Sequence, residues 1–156
     1  MDLITNGVSC LCNIKKGQQL SRINLSNTDK YPVINGGMEP SGYTNNYNTN
    51  KNTITIREGG NSCGYVNYID TNFWSGGHCY TLSNLVIDDK FLFQYLKLFE
   101  VNIRRLRVGS GLPNIQKRDL TKFNIKYPLK KEQEKFAQIP TLADKEITKL
   151  QVELVF

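Results

Sequence analysis

Histidine is all but missing from this chain: His78 is the only one in 156 residues. No Gly-x-Ser-x-Gly elbow, Gly-x-x-x-x-Gly-Lys phosphate loop or His-Glu-x-x-His helix accompanies it. Reactions that need a placed base, nucleophile or phosphate cradle therefore lack their usual parts, and His78 reads as a surface or hydrogen-bonded histidine. Long apolar runs are also lacking, and nothing approaches the length that spans a membrane. The N-terminus carries Asp2 and no basic region, so it does not read as a signal peptide. The expectation is a cytoplasmic protein with no membrane partner. The cysteines, Cys10, Cys12, Cys63 and Cys79, are even in number, but without an export signal they read as reduced, partly buried thiols and not as a disulfide framework. Cys10 and Cys12 are one residue apart, which is not the spacing of a structural zinc pair completed by Cys63, Cys79 or His78. No metal is expected.

What is present describes a globular chain with 39% hydrophobic and 22% charged residues and a net charge of +6. That charge favours an anionic partner, nucleic acid first. The stretch from Tyr31 to Val66 sets short strands between glycine turns at Gly36-Gly37 and Gly59-Gly60. No helix pattern follows either pair, which argues for turns instead of a dinucleotide or phosphate loop. Pro32 holds Tyr31 extended, and the β-branched Val33-Ile34 continue a strand. The asparagine-rich block 45–52 has too little apolar surface to be buried and reads as an exposed loop without order of its own. Thr53 to Arg57 alternate as a strand with Ile54 and Ile56 inward and Thr53, Thr55 and Arg57 outward.

On either side of that stretch the patterns are plainer. Val8, Cys10, Cys12 and Ile14 alternate as one N-terminal strand, and Tyr65 to Ile69 and Cys79 to Val86 read as further strands around a Phe73-Trp74 anchor. Asp88 and Asp89 open an amphipathic helix whose apolar positions are Phe91, Leu92, Tyr95, Leu96 and Phe99. Arg104, Arg105 and Arg107 lead into the Gly109 to Pro113 turn, and Phe123, Ile125 and Tyr127 alternate as a last strand. From Lys130 the composition turns to charged helix formers, with Phe136, Ile139, Ala143, Ile147, Leu150 and Leu154 three or four residues apart. Continuous from 130 to 156, such a helix would be about 40 Å long. Pro140 should kink or split it.

The polar residues suit base edges and phosphates: Tyr43, Asn45, Asn46, Tyr47, Lys51, Arg57, Asn61 and Ser62, with Lys15, Lys16, Arg104 and Arg105 as further cations. Two other classes compete. In a β-rich carbohydrate-binding module, Tyr43, Tyr47, Tyr65, Tyr68 and Trp74 would stack on sugar rings. An enzyme would have to use His78 with Cys79 and has no orienting third group.

Taken in order, Ile14 to Gly17 with Leu20, Tyr31 to Gly37 with Pro40 to Tyr43, Asn52 to Val66, Phe73-Trp74, Gly111 to Ile115, and Tyr127-Pro128 with Glu132-Gln133 resemble one protein family. It is the specificity subunit of type I restriction-modification systems, and the resemblance covers nearly the whole chain. It implies an α+β fold: a mostly β target recognition domain over 1–128 with a supporting helix, then a long coiled-coil-type helix over 129–156. It also implies a non-catalytic reader of double-stranded DNA that docks a modification subunit, with a restriction subunit as a further partner. S-adenosylmethionine belongs to the modification subunit, and no cofactor is expected on this chain. The sequence has no Asn-Pro-Pro-Tyr or Asp-Pro-Pro-Tyr methylation motif, in keeping with that division. A full specificity subunit has two recognition domains and two helices. One of each implies a fragment or a half-subunit that pairs with itself through the terminal helix.

Overall fold

The computed structural model describes residues 3–139. Its central layer is a four-stranded sheet in the order β2 (Asn13–Lys16), β8 (Cys79–Ser83), β5 (Thr53–Arg57), β6 (Val66–Ile69), all antiparallel. Before them come β1 (Ile4–Gly7), which pairs with β9 (Asn124–Tyr127) to join the two ends of the domain, and a 3-10 turn at Val8–Cys10. A small sheet of β4 (Tyr43–Thr44), β3 (Tyr31–Ile34) and β7 (Trp74–Ser75) completes the β structure. Three helices follow β8: α1 (Asp89–Leu98), α2 (Glu100–Arg104) and α3 (Lys117–Thr121). A fourth begins at 130 and is described to 139. The class is α+β, as expected. The coiled-coil extension, the Pro140 kink and the positions Ala143, Ile147, Leu150 and Leu154 lie outside the described residues.

Both faces of the central sheet are covered, and this decides the fate of several side chains. One face carries Ile14, Ile54, Ile56, Val66, Tyr80 and Leu82, packed with Phe91 and Leu92 of α1, Ile103, Leu120 and Ile125 in the main core. The other meets a second small core of Ile34, Ile69, Phe73 and Cys79. In β5 the alternation of Ile54 and Ile56 with Thr55 and Arg57 is therefore real, yet neither set faces water. Thr55 and Arg57 are both 0% exposed.

Local chemistry explains α1. Asp88 Oδ1 accepts from Phe91 N–H at 2.7 Å and caps the helix, while Phe91 and Leu92, and Leu96 one turn on, are buried on one face. Lys126 N–H donates to Tyr95 Oη at 3.2 Å, tying the helix to β9. The terminal helix docks at the opposite end of α1. Gln133 is buried, accepts from Asp88 N–H at 3.0 Å and donates to Pro128 O at 2.8 Å.

Two local expectations need correction. The Val8 to Ile14 alternation is not one strand. Val8 N–H donates to Phe123 O and Leu11 N–H to Val8 O, both at 2.9 Å, so the chain turns between β1 and β2. The loop 45–52 is held in place. Asn48 Nδ2 donates to Ser75 O at 3.1 Å while Asn48 Oδ1 accepts from Ser75 N–H at 2.7 Å, and Lys51 N–H donates to Asn72 Oδ1 at 2.9 Å. The basic run after α1 leads into its turn as expected, starting from a helix end: Arg104 ends α2 and Arg105 caps it.

Candidate nucleic-acid interface

A cleft of about 730 Å³ opens where three loops converge: Gly36-Gly37 after β3, Gly59 to Ser62 after β5, and Leu112 to Asn114 ahead of α3. Lys16 at the end of β2 and His78 ahead of β8 close its sides, and Glu58 forms its floor. Backbone bonds hold the walls together. Glu58 N–H donates to His78 O at 2.9 Å, Ile115 N–H to Glu58 O at 2.8 Å, and Gly60 N–H to Pro113 O at 3.1 Å. Glycine lets two walls meet, since a Cβ on Gly36 would stand 3.2 Å from Gly59 O. Gly60 turns the second loop with φ +78°, a conformation glycine adopts without strain.

The electrostatics of the cleft centre on Glu58. Its Oε1 accepts from Lys16 Nζ at 2.7 Å and from Tyr80 Oη at 3.2 Å, and its Oε2 lies 3.5 Å from His78 Nδ1. Burial and the neighbouring Glu58 carboxylate push the Tyr80 hydroxyl well above the ordinary tyrosine range, so it stays a donor. Lys16 keeps half its side chain in water. The cleft thus offers a cation, amides and hydroxyls around a carboxylate that is already engaged.

The predicted contact residues do not gather in one place. Lys16, Asn61 and Ser62 line this cleft. Lys15 lines a small neighbouring hollow of about 80 Å³ with Lys16, Gln18, Asn48 and Thr49. Tyr43, Asn45, Asn46, Tyr47, Lys51 and Arg105 are exposed, though the Tyr47 ring leans on Tyr31 with centroids 4.9 Å apart. Arg104 Nη2 donates to Glu100 Oε1 at 2.7 Å, and the Arg104 side chain passes so close to Gly64 that a Cβ there would meet its Cγ at 2.7 Å.

Arg57 is a correction. Its guanidinium points into the space between the two sheets, where Nε donates to Gly37 O at 2.6 Å and Nη1 to Thr55 Oγ1 at 3.0 Å. It cannot touch a ligand at the surface. Instead it holds the Gly36-Gly37 wall from behind.

The structure also separates the competing sets. Tyr65 and Tyr68 have Lys97 and Lys90 over their rings at 4.2 and 3.4 Å, Trp74 Nε1 donates to Gln18 O at 2.8 Å, and Tyr47 lies against Tyr31. These aromatics form no shared sugar platform. His78 is exposed and Cys79 is 0% exposed. Burial pushes the Cys79 thiol up, against the lowering effect of Arg57, so this pair is not an activated thiol with its base. Sequence reasoning missed Glu58, His78 and Asn114 as cleft residues. Glu58 directly precedes the Gly59-Gly60 turn, and a charged residue beside a glycine pair is the one signal that could have drawn attention to it.

Residues 9–154 match the model of the type I restriction modification DNA specificity domain. This chain belongs to that family. Among its curated relatives, a protein of Mycoplasma genitalium named as a type I specificity subunit is 35% identical over 147 residues, covering 92% of this chain and 38% of the relative. A Mycoplasma pneumoniae protein named in the same way is 42% identical over 113 residues, 70% of this chain and 30% of that protein. The crystal structure of the S subunit of the M. genitalium type I restriction-modification system superposes with a TM-score of 0.87 at 34% identity, over 97% of this chain and 41% of that one. The S subunit from Thermoanaerobacter tengcongensis, 16% identical with a TM-score of 0.72, shares the fold. The chain therefore spans about 38% and 30% of the length of the two curated relatives.

Proposed function

We propose that this specificity-domain chain reads one half of a bipartite double-stranded DNA site and directs a separate adenine-methylating subunit to it, without catalysing a reaction itself. What carries the reading is a family match over 9–154 in a chain whose cleft sets Lys16, Asn61 and Ser62 beside one another. Lys16 and the asparagine and serine side chains supply donors and acceptors for base edges. Lys15, Lys51, Arg105 and the exposed asparagines of 45–46 supply phosphate and sugar contacts around them. Each good bidentate base contact discriminates by about 1–3 kcal/mol, so a few per domain give a short half-site and two domains give a useful whole. S-adenosylmethionine would be held by the modification subunit, and a restriction subunit would join through it in the cytoplasm.

In this reading residues 1–128 form the recognition domain and 129–156 the partner helix. Gln133 and Ala137 face the domain, whereas Phe136 and Ile139 remain 44% and 58% exposed. Ala143, Ile147, Leu150 and Leu154 continue the spacing in sequence. Two such helices, antiparallel about a two-fold axis, would set the reading heads about one DNA turn apart, roughly 34–36 Å.

Methylation-motif sequencing of cells expressing this chain with its modification subunit tests the reading. A bipartite motif that disappears with the chain is expected, and an unchanged methylome overturns it. In vitro, anisotropy with duplex DNA should weaken steeply as salt rises. Sedimentation at micromolar concentration that shows only monomer, with and without the modification subunit, removes the paired-helix part.

A further inference from the structure

Leu112 is 84% exposed, and nothing in the reading above uses it. It does not ride on a loose loop. Val108 N–H donates to Asn114 O at 2.7 Å and Asn114 N–H to Val108 O at 2.9 Å, closing the base of the loop, and Gly60 N–H holds Pro113 O from the neighbouring wall. The tip is slim as well as fixed: Gly109 turns at φ +98°, and a Cβ on Gly111 would meet nothing within 4 Å. An apolar side chain is thus presented at the rim of the cleft that holds Asn61, Ser62 and Lys16.

Its surroundings say what it meets. Single exposed apolar residues are common and by themselves mean little. A protein interface, however, would ask for a contiguous apolar core depleted of charge. Here the loop is preceded by Arg105 and Arg107 and followed by Lys117 and Arg118, all exposed; its other exposed large apolar side chain is Val108 at the base, and its cleft neighbours are glycines and the polar Lys16, Glu58, Asn61, Ser62, His78 and Asn114. Cations flanking an apolar tip match a duplex, where the cations sit on phosphates and the tip enters between base steps.

We propose that Leu112, backed by Pro113, is a wedge that inserts between two base pairs of the half-site and partly unstacks them. The domain would then select sequence through the deformability of that step as well as through base edges. This rests on the reading of the chain as a DNA-binding specificity domain.

The test uses the full chain with its modification subunit and duplexes of the methylated motif carrying 2-aminopurine at one position at a time. Wild type should brighten the probe at one step, and Leu112→Ala should abolish that signal with unchanged thermal melting. Affinity should fall by about ten- to a hundredfold, which is what burying a leucine is worth. A mismatch at the same step, already unstacked, should restore most of the loss. The wedge is refuted if wild type binds the motif and no position brightens, or if brightening survives in Leu112→Ala. It is refuted equally if the variant loses only its hold on the modification subunit, which would make the partner a protein. Wild type that binds no duplex at all would fail the DNA reading itself, a result distinguishable from the others.

Discussion

Replacing Arg57 separates a residue that contacts DNA from one that builds the contact surface. Its guanidinium is 0% exposed, donates to Gly37 O at 2.6 Å and Thr55 Oγ1 at 3.0 Å, and lies 3.8 Å from Cys79 Sγ. Nη2 has no partner. Arg57→Ala leaves the buried Thr55 Oγ1 without its donor, at about 1–3 kcal/mol, while the carbonyl of the exposed Gly37 turns to water. It also opens a cavity worth several more. Relief of a buried cation that has no carboxylate beside it offsets part of this. The net loss is about 3–5 kcal/mol, which for a domain of this size lowers the melting midpoint by about 6–20 °C. Arg57→Met refills the volume and removes the charge, so it should lose only about 1–2 kcal/mol.

Urea titrations of the two variants beside wild type, followed by anisotropy on the motif duplex below the weaker midpoint, give both numbers. Because the Gly37 carbonyl loses its anchor in each, DNA affinity should fall moderately in both variants and the salt slope should stay as in wild type. A directly bound arginine would behave in the opposite way: its loss would leave stability untouched and reduce the salt slope by about one unit. That result would refute the positioning role.

Glu100 accepts from Lys97 Nζ, Arg104 Nη2 and Val66 N–H; burial pushes its carboxyl up, but these hydrogen bonds and the charges of Lys97 and Arg104 prevail and hold it below the usual value. Its stabilising contribution is therefore complete above the unfolded carboxylate range and disappears as pH falls through the folded value, so unfolding free energies of wild type and Glu100→Gln from urea titrations should converge in acid and differ at neutral pH by about 1 kcal/mol, since both cationic partners are partly solvated. Thiol labelling at neutral pH should modify Cys10 quickly and the other three of the four cysteines only on unfolding, because Cys12, Cys63 and Cys79 are buried and burial pushes the Cys12 thiol up to about 11; fast labelling of Cys12 in the native protein would contradict the packing. Gly64→Ala should destabilise by about 1 kcal/mol or more, read by thermal melting, because φ is +84° and the added Cβ would lie 3.0 Å from Arg104 Cα.

The elements that were legible in the sequence are those whose cause is local. Asp88 three residues before Phe91, with apolar side chains at helical spacing, is enough to specify α1, and Phe123, Ile125 and Tyr127 are enough to suggest β9. The Val8 to Ile14 alternation misled because the bond that breaks the strand comes from Phe123 O, a partner far along the chain. Loop 45–52 looked unstructured for a related reason: Asn48 finds its partner at Ser75.

Arg57 shows the deeper limit. A period of two says that Thr55 and Arg57 share a face opposite Ile54 and Ile56, but it cannot say whether that face meets water or a second layer. The second layer is the small sheet of β4, β3 and β7 with its core of Ile34 and Phe73, which covers the polar stripe, and Gly37 in the turn after β3 accepts from Arg57 there. The same packing step makes the cleft. Glu58 is the residue after β5, so once Arg57 is drawn inward to Gly37, Glu58 is left at the floor between the two glycine loops, where Lys16, His78 and Tyr80 reach it. The arginine misassigned to the surface and the carboxylate overlooked beside it are thus two consequences of one strand entering a two-sided core. A surface-reading role therefore passes from the strand itself to the loops at its end, Gly59 to Ser62 and, across the cleft, Leu112 to Asn114.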